Sequence, residues 1–216
     1  MKSVIVIGAG DFGREVIEIF KDHNRISKDW NILGFIDENK KLHGKIINNF
    51  KVLGGIEWLI ENKKDELGVV CAVGDCKKRK ELIKKIDKIK IEYYNAIHPS
   101  VVIGESVKIG HDVIISAGTT ITVNATIQNH VVINMQCSIA HDTVIEDFCT
   151  ISPGVQINGR THLKEGADIG SNATLLPGIC IGKWSRVGIG SVVLKDIKEN
   201  VVAFGNPARV VIDKNK

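Results

Sequence analysis

No apolar run in this chain of 216 residues approaches the roughly 20 needed to cross a bilayer as a helix. The start, MKSVIVIGAGDFG, has no cleavage region of a signal peptide; its apolar stretch leads straight into a glycine loop and reads as a first strand. A strong charge of one sign is also missing, since the formal net charge of +4 is too small to argue for nucleic acid. Cysteine is sparse and odd in number: Cys71, Cys76, Cys137, Cys149 and Cys180 are scattered at spacings that suggest neither a zinc site nor a disulfide framework. The expectation is a soluble, cytoplasmic protein with no membrane insertion, no nucleic-acid partner and no metal.

What is present divides unevenly. Residues 1–95 carry 19 Lys or Arg against 15 Asp or Glu, whereas residues 96–216 carry 10 of each. The positive excess therefore lies entirely in the first part, where it could favour a phosphorylated small ligand. A chain of this length divides naturally into two modest cores, expected here as 1–95 and 96–216.

In the first part, Ser3–Gly8 reads as an apolar strand leading into the turn Gly8-Ala9-Gly10-Asp11-Phe12-Gly13. Arg14–Asp22 has helical periodicity, with Val16, Ile17, Ile19 and Phe20 on one face. A strand over Ile32–Ile36, a short helix over Glu57–Lys63, a strand over Leu67–Val73 and a basic helix over Lys77–Lys88 follow. Strands alternating with helices indicate a small Rossmann-like α/β domain with a parallel sheet, which binds ligands outside the carboxyl ends of its strands. Gly10, Asp11 and Phe12, then Asp37 and Glu38, then Gly74 stand at those ends. A glycine turn opening a helix can approach a diphosphate closely, and a carboxylate at the next strand end can accept from a ribose or a base. The GxGxxG spacing also suits NAD, but the unit is short and no dehydrogenase feature follows it.

From Val101 the chain divides without interruption into sixteen hexads, from VVIGES to SVVLKD, with Ile, Leu or Val at every third position and Ile at twelve of the sixteen. Alternation in a single strand would not hold an aliphatic residue to a strict spacing of six. Each hexad is one short face of a triangular coil, three hexads make a turn, and the third-position side chains stack inside. Corners rich in Gly, Asn, Asp, Ser and Pro tolerate the required backbone. The expected fold class is thus a small Rossmann-like α/β domain followed by a left-handed parallel β-helix. Cys137 and Cys149 occupy first places of hexads and fill structural space.

Histidines at corners of the coil suit general-base work near neutral pH. His111-Asp112 and His141-Asp142 both take fifth and sixth places of their hexads, and His130 takes a sixth place; the residues alone leave these alternatives open.

IVIGAGDFGREV, LGFIDE, VVCAVGD with Arg79 shortly after, AIHPSVVIG, SIAHDTVIEDFCTISPG and the closing VVAFGNPARVV resemble the hexapeptide-repeat sugar acetyltransferases of the sialic-acid O-acetyltransferase and bacillosamine-pathway N-acetyltransferase group. The resemblance covers nearly the whole chain. It implies that His141 is the general base and that Asp142 orients its ring. It implies an acetyl-CoA donor lying between adjacent β-helices of a homotrimer, near Thr150, Gly170, Ser171, Gly188 and Ile189. Thr150 stands where members often have a second histidine. The acceptor implied is a nucleotide-linked 4-amino sugar for glycan or surface-polysaccharide synthesis, held near Gly10, Asp11, Phe12, Asp37, Glu38 and Gly74. O-acetylation of sialic acid is the second reading, and a non-catalytic trimeric scaffold with regulatory nucleotide binding the third.

Overall fold

The computed structural model describes residues 1–213, which fall into two compact units, Met1–Pro99 and one beginning at Ser100. Among the described residues no helix is long and apolar enough to cross a membrane.

The first unit is built on β1 (Lys2–Ile7), α1 (Asp11–Ile26), β2 (Trp30–Ile36), β3 (Ile46–Ile47), β4 (Phe50–Gly54), α2 (Ile56–Asn62), β5 (Leu67–Cys71), α3 (Cys76–Ile86) and β6 (Glu92–Tyr93). Its sheet runs β3-β4-β2-β1-β5-β6, parallel except for the β3–β4 hairpin. β1 lies between β2 and β5 and is covered on both faces, so Val4, Ile5 and Val6 are fully buried and the strand is a continuous apolar run. The chain leaves β1 toward β2 on one side and returns to β5 on the other. The crevice between β1 and β5 is thus the switch point of the sheet, where such folds take ligands.

Helix α1 extends about a turn beyond each end of the expected Arg14–Asp22. Arg14 N–H closes the first turn on Gly10 O at 3.2 Å, and Ser27 N–H caps the last on His23 O. Asp11 at the start and His23 and Arg25 at the end complement the helix dipole. Val16, Ile17, Ile19 and Phe20 bury the inner face, and a side chain at Gly13 would run into the Gly8 carbonyl. This glycine is therefore required by helix-on-turn packing.

The second unit is a left-handed parallel β-helix. Sixteen two-residue strands, from Val102–Ile103 to Val192–Val193, recur every six residues at the second and third places of the hexads. Each pairs with the strand eighteen residues away, giving three sheets. One face contains Thr150–Ile151, Asp168–Ile169 and Arg186–Val187; the next contains Ser138–Ile139 and Thr174–Leu175; the third contains Val144–Ile145 and His162–Leu163. From Ile115 to Val193 every third-position side chain is at most 1% exposed, while Ile103 at the open end is 41% exposed. Burial of each such aliphatic side chain contributes about 1.5–3 kcal/mol.

The corners admit more than the expected Gly, Asn, Asp, Ser and Pro. Sixth places from Ser106 to Gly190 all have φ between 54° and 76°, and ten of these fifteen are not glycine, including His130, Phe148, Arg160 and Trp184. Left-handed backbone costs a non-glycine residue about 1–2 kcal/mol. One inward aliphatic per hexad outweighs that, so the coil imposes the conformation whatever side chain stands there. After the last hexad, Val201–Phe204 extends the first face beside Arg186–Val187, and Arg209–Asp213 folds back antiparallel on it.

Candidate active site

His141 and Asp142 sit at the corner between the strands Ser138–Ile139 and Val144–Ile145. Asp142 takes the left-handed sixth place (φ 58°), and this local bend lets its carboxylate reach the ring of the preceding residue. His141 Nδ1 and Asp142 Oδ2 are 2.8 Å apart, with both side chains about half exposed. The hydrogen bond from His141 holds the Asp142 carboxyl below its ordinary range; slight desolvation opposes it, and Asn124 Nδ2 at 3.3 Å and the Arg160 charge reinforce it. An ionised carboxylate only accepts, so Nδ1 carries the proton and Nε2 the lone pair. Arg160 N–H donates to the His141 carbonyl at 2.9 Å and fixes the backbone beneath the ring. The arrangement can accept a proton at Nε2 while the carboxylate favours the resulting cation.

The second His-Asp dipeptide is built differently. Asp112 Oδ2 lies 2.8 Å from Nδ1 of His130, one coil on, and both side chains are buried. The His130 ring stacks on Phe148 with centroids 4.9 Å apart, and His111 meets it edge-on at 4.8 Å. A pair that the sequence reading did not weigh lies on the third face, where His162 Nε2 is 2.7 Å from Glu146 Oε1. Burial opposes ionisation of Glu146. The Glu165 N–H, His162 and Lys164 together outweigh it and hold the carboxyl below its usual range. The eighteen-residue stride was the available signal for Asp112 and His130; Glu146 and His162 lie sixteen residues apart, off that stride.

In the first unit, a cleft of about 330 Å³ opens at the strand carboxyl ends over Ile7 and Ile36, with Asp37, Glu38, Lys78 and Lys85 on its walls. Asp37 is engaged with the loops: Oδ2 accepts from Ala9 N–H and Oδ1 from Asn39 N–H, each at 2.8 Å. Glu38 and Lys85 form an exposed ion pair at 3.0 Å. Gly10 and Gly74, at the ends of β1 and β5, flank the switch point; neither has a positive φ, and a side chain on either would meet nothing within 4 Å. The fold therefore does not demand glycine there, and the bare backbone leaves room for a ligand. Asp11 is exposed and paired with Arg14, and Phe12 is half-buried. Arg79, wholly buried, donates to the carbonyls of Val73 at 2.6 Å and Gly74 at 3.1 Å and shapes that loop from behind. The reading of strand ends missed Lys78 and Lys85, which reach the cleft from the basic helix α3.

The residues expected on the donor side gather elsewhere on the β-helix. Gly170, Ser171, Gly188 and Ile189 share the corner that follows the face of Thr150, across the coil from His141. Gly170 N–H donates to Val187 O and Gly188 N–H to Ala203 O, each at 2.8 Å. A side chain on Gly170 would strike the Gly188–Ile189 backbone, and one on Gly188 would strike the Phe204 ring. The Ser171 carbonyl accepts from Gly190 N–H at 2.8 Å, and the Ile189 side chain is 67% exposed. Thr150 is buried on its face. Among the described residues, no three His, Cys, Asp or Glu converge as a metal site.

Two family models match the chain: the PglD N-terminal domain over residues 3–86 and the bacterial transferase hexapeptide (six repeats) over residues 124–159. The GDP-perosamine N-acetyltransferase of Escherichia coli O157:H7 is 31% identical over 211 residues, covering 94% of each chain. Among solved structures, PerB from Caulobacter crescentus in complex with CoA and GDP-perosamine superposes with a TM-score of 0.88 at 28% identity, covering 97% of each chain. WeeI from Acinetobacter baumannii AYE gives 0.87 at 29% identity, covering 98% of this chain and 100% of that one.

Proposed function

Because the chain belongs to the hexapeptide-repeat sugar N-acetyltransferases with a PglD-type N-terminal domain, we infer that it transfers an acetyl group from acetyl-CoA to the amine of a nucleotide-linked 4-amino sugar. The observation that carries this reading is the exposed His141 ring, held at Nδ1 by Asp142 with its lone pair on Nε2.

Acetyl-CoA supplies an activated acyl group as a thioester. His141 Nε2 removes the proton from the acceptor amine as the nitrogen lone pair forms the C–N bond and the C–S bond breaks. The proton then passes to the departing thiolate. Asp142, ionised throughout, holds the ring in the required tautomer. A main-chain N–H of the β-helix is proposed as donor to the developing oxyanion. The first unit anchors the nucleotide: Gly10 and Gly74 give it room, Asp11, Phe12, Asp37 and Glu38 line the strand ends, and Lys78 and Lys85 supply positive charge near phosphate. Ser171, Ile189 and Thr150, with the main chain at Gly170 and Gly188, fit a donor held by backbone and apolar contacts. They stand across the coil from His141, which supports a homotrimer in which one copy's base meets a donor on its neighbour. A cytoplasmic role in glycan or surface-polysaccharide synthesis follows from the substrates.

The test is thiol release from acetyl-CoA with UDP-4-amino sugars, GDP-4-amino sugars and sialic acids, with His141→Ala as control. Rapid release with one nucleotide amino sugar, lost in the variant, is the expected outcome. Turnover with sialic acid alone would reassign the protein as an O-acetyltransferase. A folded protein that neither turns over nor binds acetyl-CoA would be a scaffold.

A further inference from the structure

We propose that Gly159 is a positioning residue for the His141 ring: the missing side chain at 159 is the seat that keeps Nδ1 on Asp142 and Nε2 open. The inference rests on the reading of His141 as the base.

Gly159 is the fifth residue of VQINGR, one coil beyond His141 in the same corner column. Other fifth places of that column hold Glu105, Val123, His141, Pro177 and Lys195, so the coil accepts side chains there. No positive φ requires glycine at 159 either, in contrast to Gly178, a sixth-place glycine on the same corner one coil beyond Arg160, whose φ is 76°. The imidazole is what excludes a side chain. A Cβ at 159 would stand 2.5 Å from His141 Nε2, 2.6 Å from Cε1 and 3.0 Å from Cδ2. Those atoms are the free end of a half-exposed side chain, so the backbone can stay while the ring turns. Turning it breaks the 2.8 Å bond to Asp142, and leaving it in place puts a methyl group against the nitrogen that must accept the proton. Either result acts on the base without entering the hydrophobic core.

The experiment compares Gly159→Ala, His141→Ala, the double variant and Gly178→Ala in the full chain. Gly159→Ala is expected to melt within a few degrees of the parent and to lose about 100-fold in kcat, the scale of a misplacement near 1 Å. KM for both substrates should stay within a few-fold. The double variant should be no slower than His141→Ala, and the downfield Nδ1 proton resonance of His141 should disappear in Gly159→Ala. Gly178→Ala strains the same corner without touching the ring, so it should lose stability and keep its kcat. A Gly159→Ala enzyme with parental kcat and an intact Nδ1 resonance would overturn the inference. So would a double variant well below His141→Ala, or a Gly159→Ala chain that fails to fold, because glycine would then serve the coil and not the ring. A fully active His141→Ala would instead overturn the base assignment, a separate failure.

Discussion

Two corners of one β-helix each hold a histidine Nδ1 and an aspartate oxygen 2.8 Å apart, and they differ in nearly everything else. His141 and Asp142 are neighbours in sequence, half exposed, with the ring lying over a glycine. Asp112 and His130 are eighteen residues apart and buried, with the ring clamped between Phe148 and His111. In the first pair water screens the charge, so the contact adds little to stability and leaves a nitrogen within reach of a substrate. In the second, removing either partner leaves a desolvated polar group unmatched, so the pair joins coils. Identical hydrogen-bond lengths therefore do not imply identical roles; access decides.

The sharpest way to break this comparison is to truncate both histidines. His141→Ala should lower kcat by about 10³-fold, within the range for a removed general base, with an unchanged melting curve. His130→Ala should do the opposite, keeping most of its kcat while losing about 3 kcal/mol, read as a fall of roughly 10 °C in Tm for a chain of this size. If the two variants exchange these phenotypes, the assignment of base and strut is reversed.

Smaller changes refine it. Asp142→Asn keeps the shape of the corner but presents an amide to Nδ1, and steady-state kinetics should show kcat reduced about tenfold, at the modest end for an exposed carboxylate. In the parent, the folded-state value of the Asp142 carboxyl is depressed, so the contribution of its ionised form is complete above the ordinary value of 3.8 and fades only as pH falls through the lower folded-state value. Carboxyl ¹³C titration of Asp142 should accordingly show no protonation between pH 5 and 8.

The smallest expected effect contrasts the inside and outside of one hexad, CSIAHD. Burial pushes the Cys137 thiol up to about 11 from its ordinary 9.0. Native protein at pH 8 should therefore react with iodoacetamide at Cys137 far more slowly than denatured protein. The sign for stability runs from the raised value: the benefit of a neutral buried thiol is complete below 9.0 and disappears as pH climbs through about 11, a decline that urea titrations at pH 8 and pH 10.5 would register.

The coil was legible because one rule, an aliphatic at every third place, is repeated sixteen times and is enforced by burial at each inner layer. The contact between His141 and Asp142 was legible because it is local. The partner of Asp112 was not read, since adjacency drew attention to His111 while the carboxylate followed the stride of the helix to His130. Corner chemistry was only half visible: Asn124 and Gly154 fit a left-handed bend by type, but Phe148 and Trp184 adopt it through the stacking of their neighbours. In the first unit the strand-end rule located Asp37 and Glu38 on the cleft. It could not locate Lys78 and Lys85, whose approach depends on how a helix docks, nor show that both Asp37 oxygens already tie down main-chain N–H groups.

The agreement of one period of six residues with another of eighteen gives the β-helix two different tolerances to insertion and deletion. Losing a whole coil shortens the stack and returns every later residue to its original side. Losing a single hexad leaves each inward aliphatic in register, so the core accepts the change, but it carries everything downstream a third of a turn around the axis. Such a frameshift in space, hidden from any measure of folding, would exchange the exterior faces beyond the cut and could silence or rebuild a surface site without altering one of its residues.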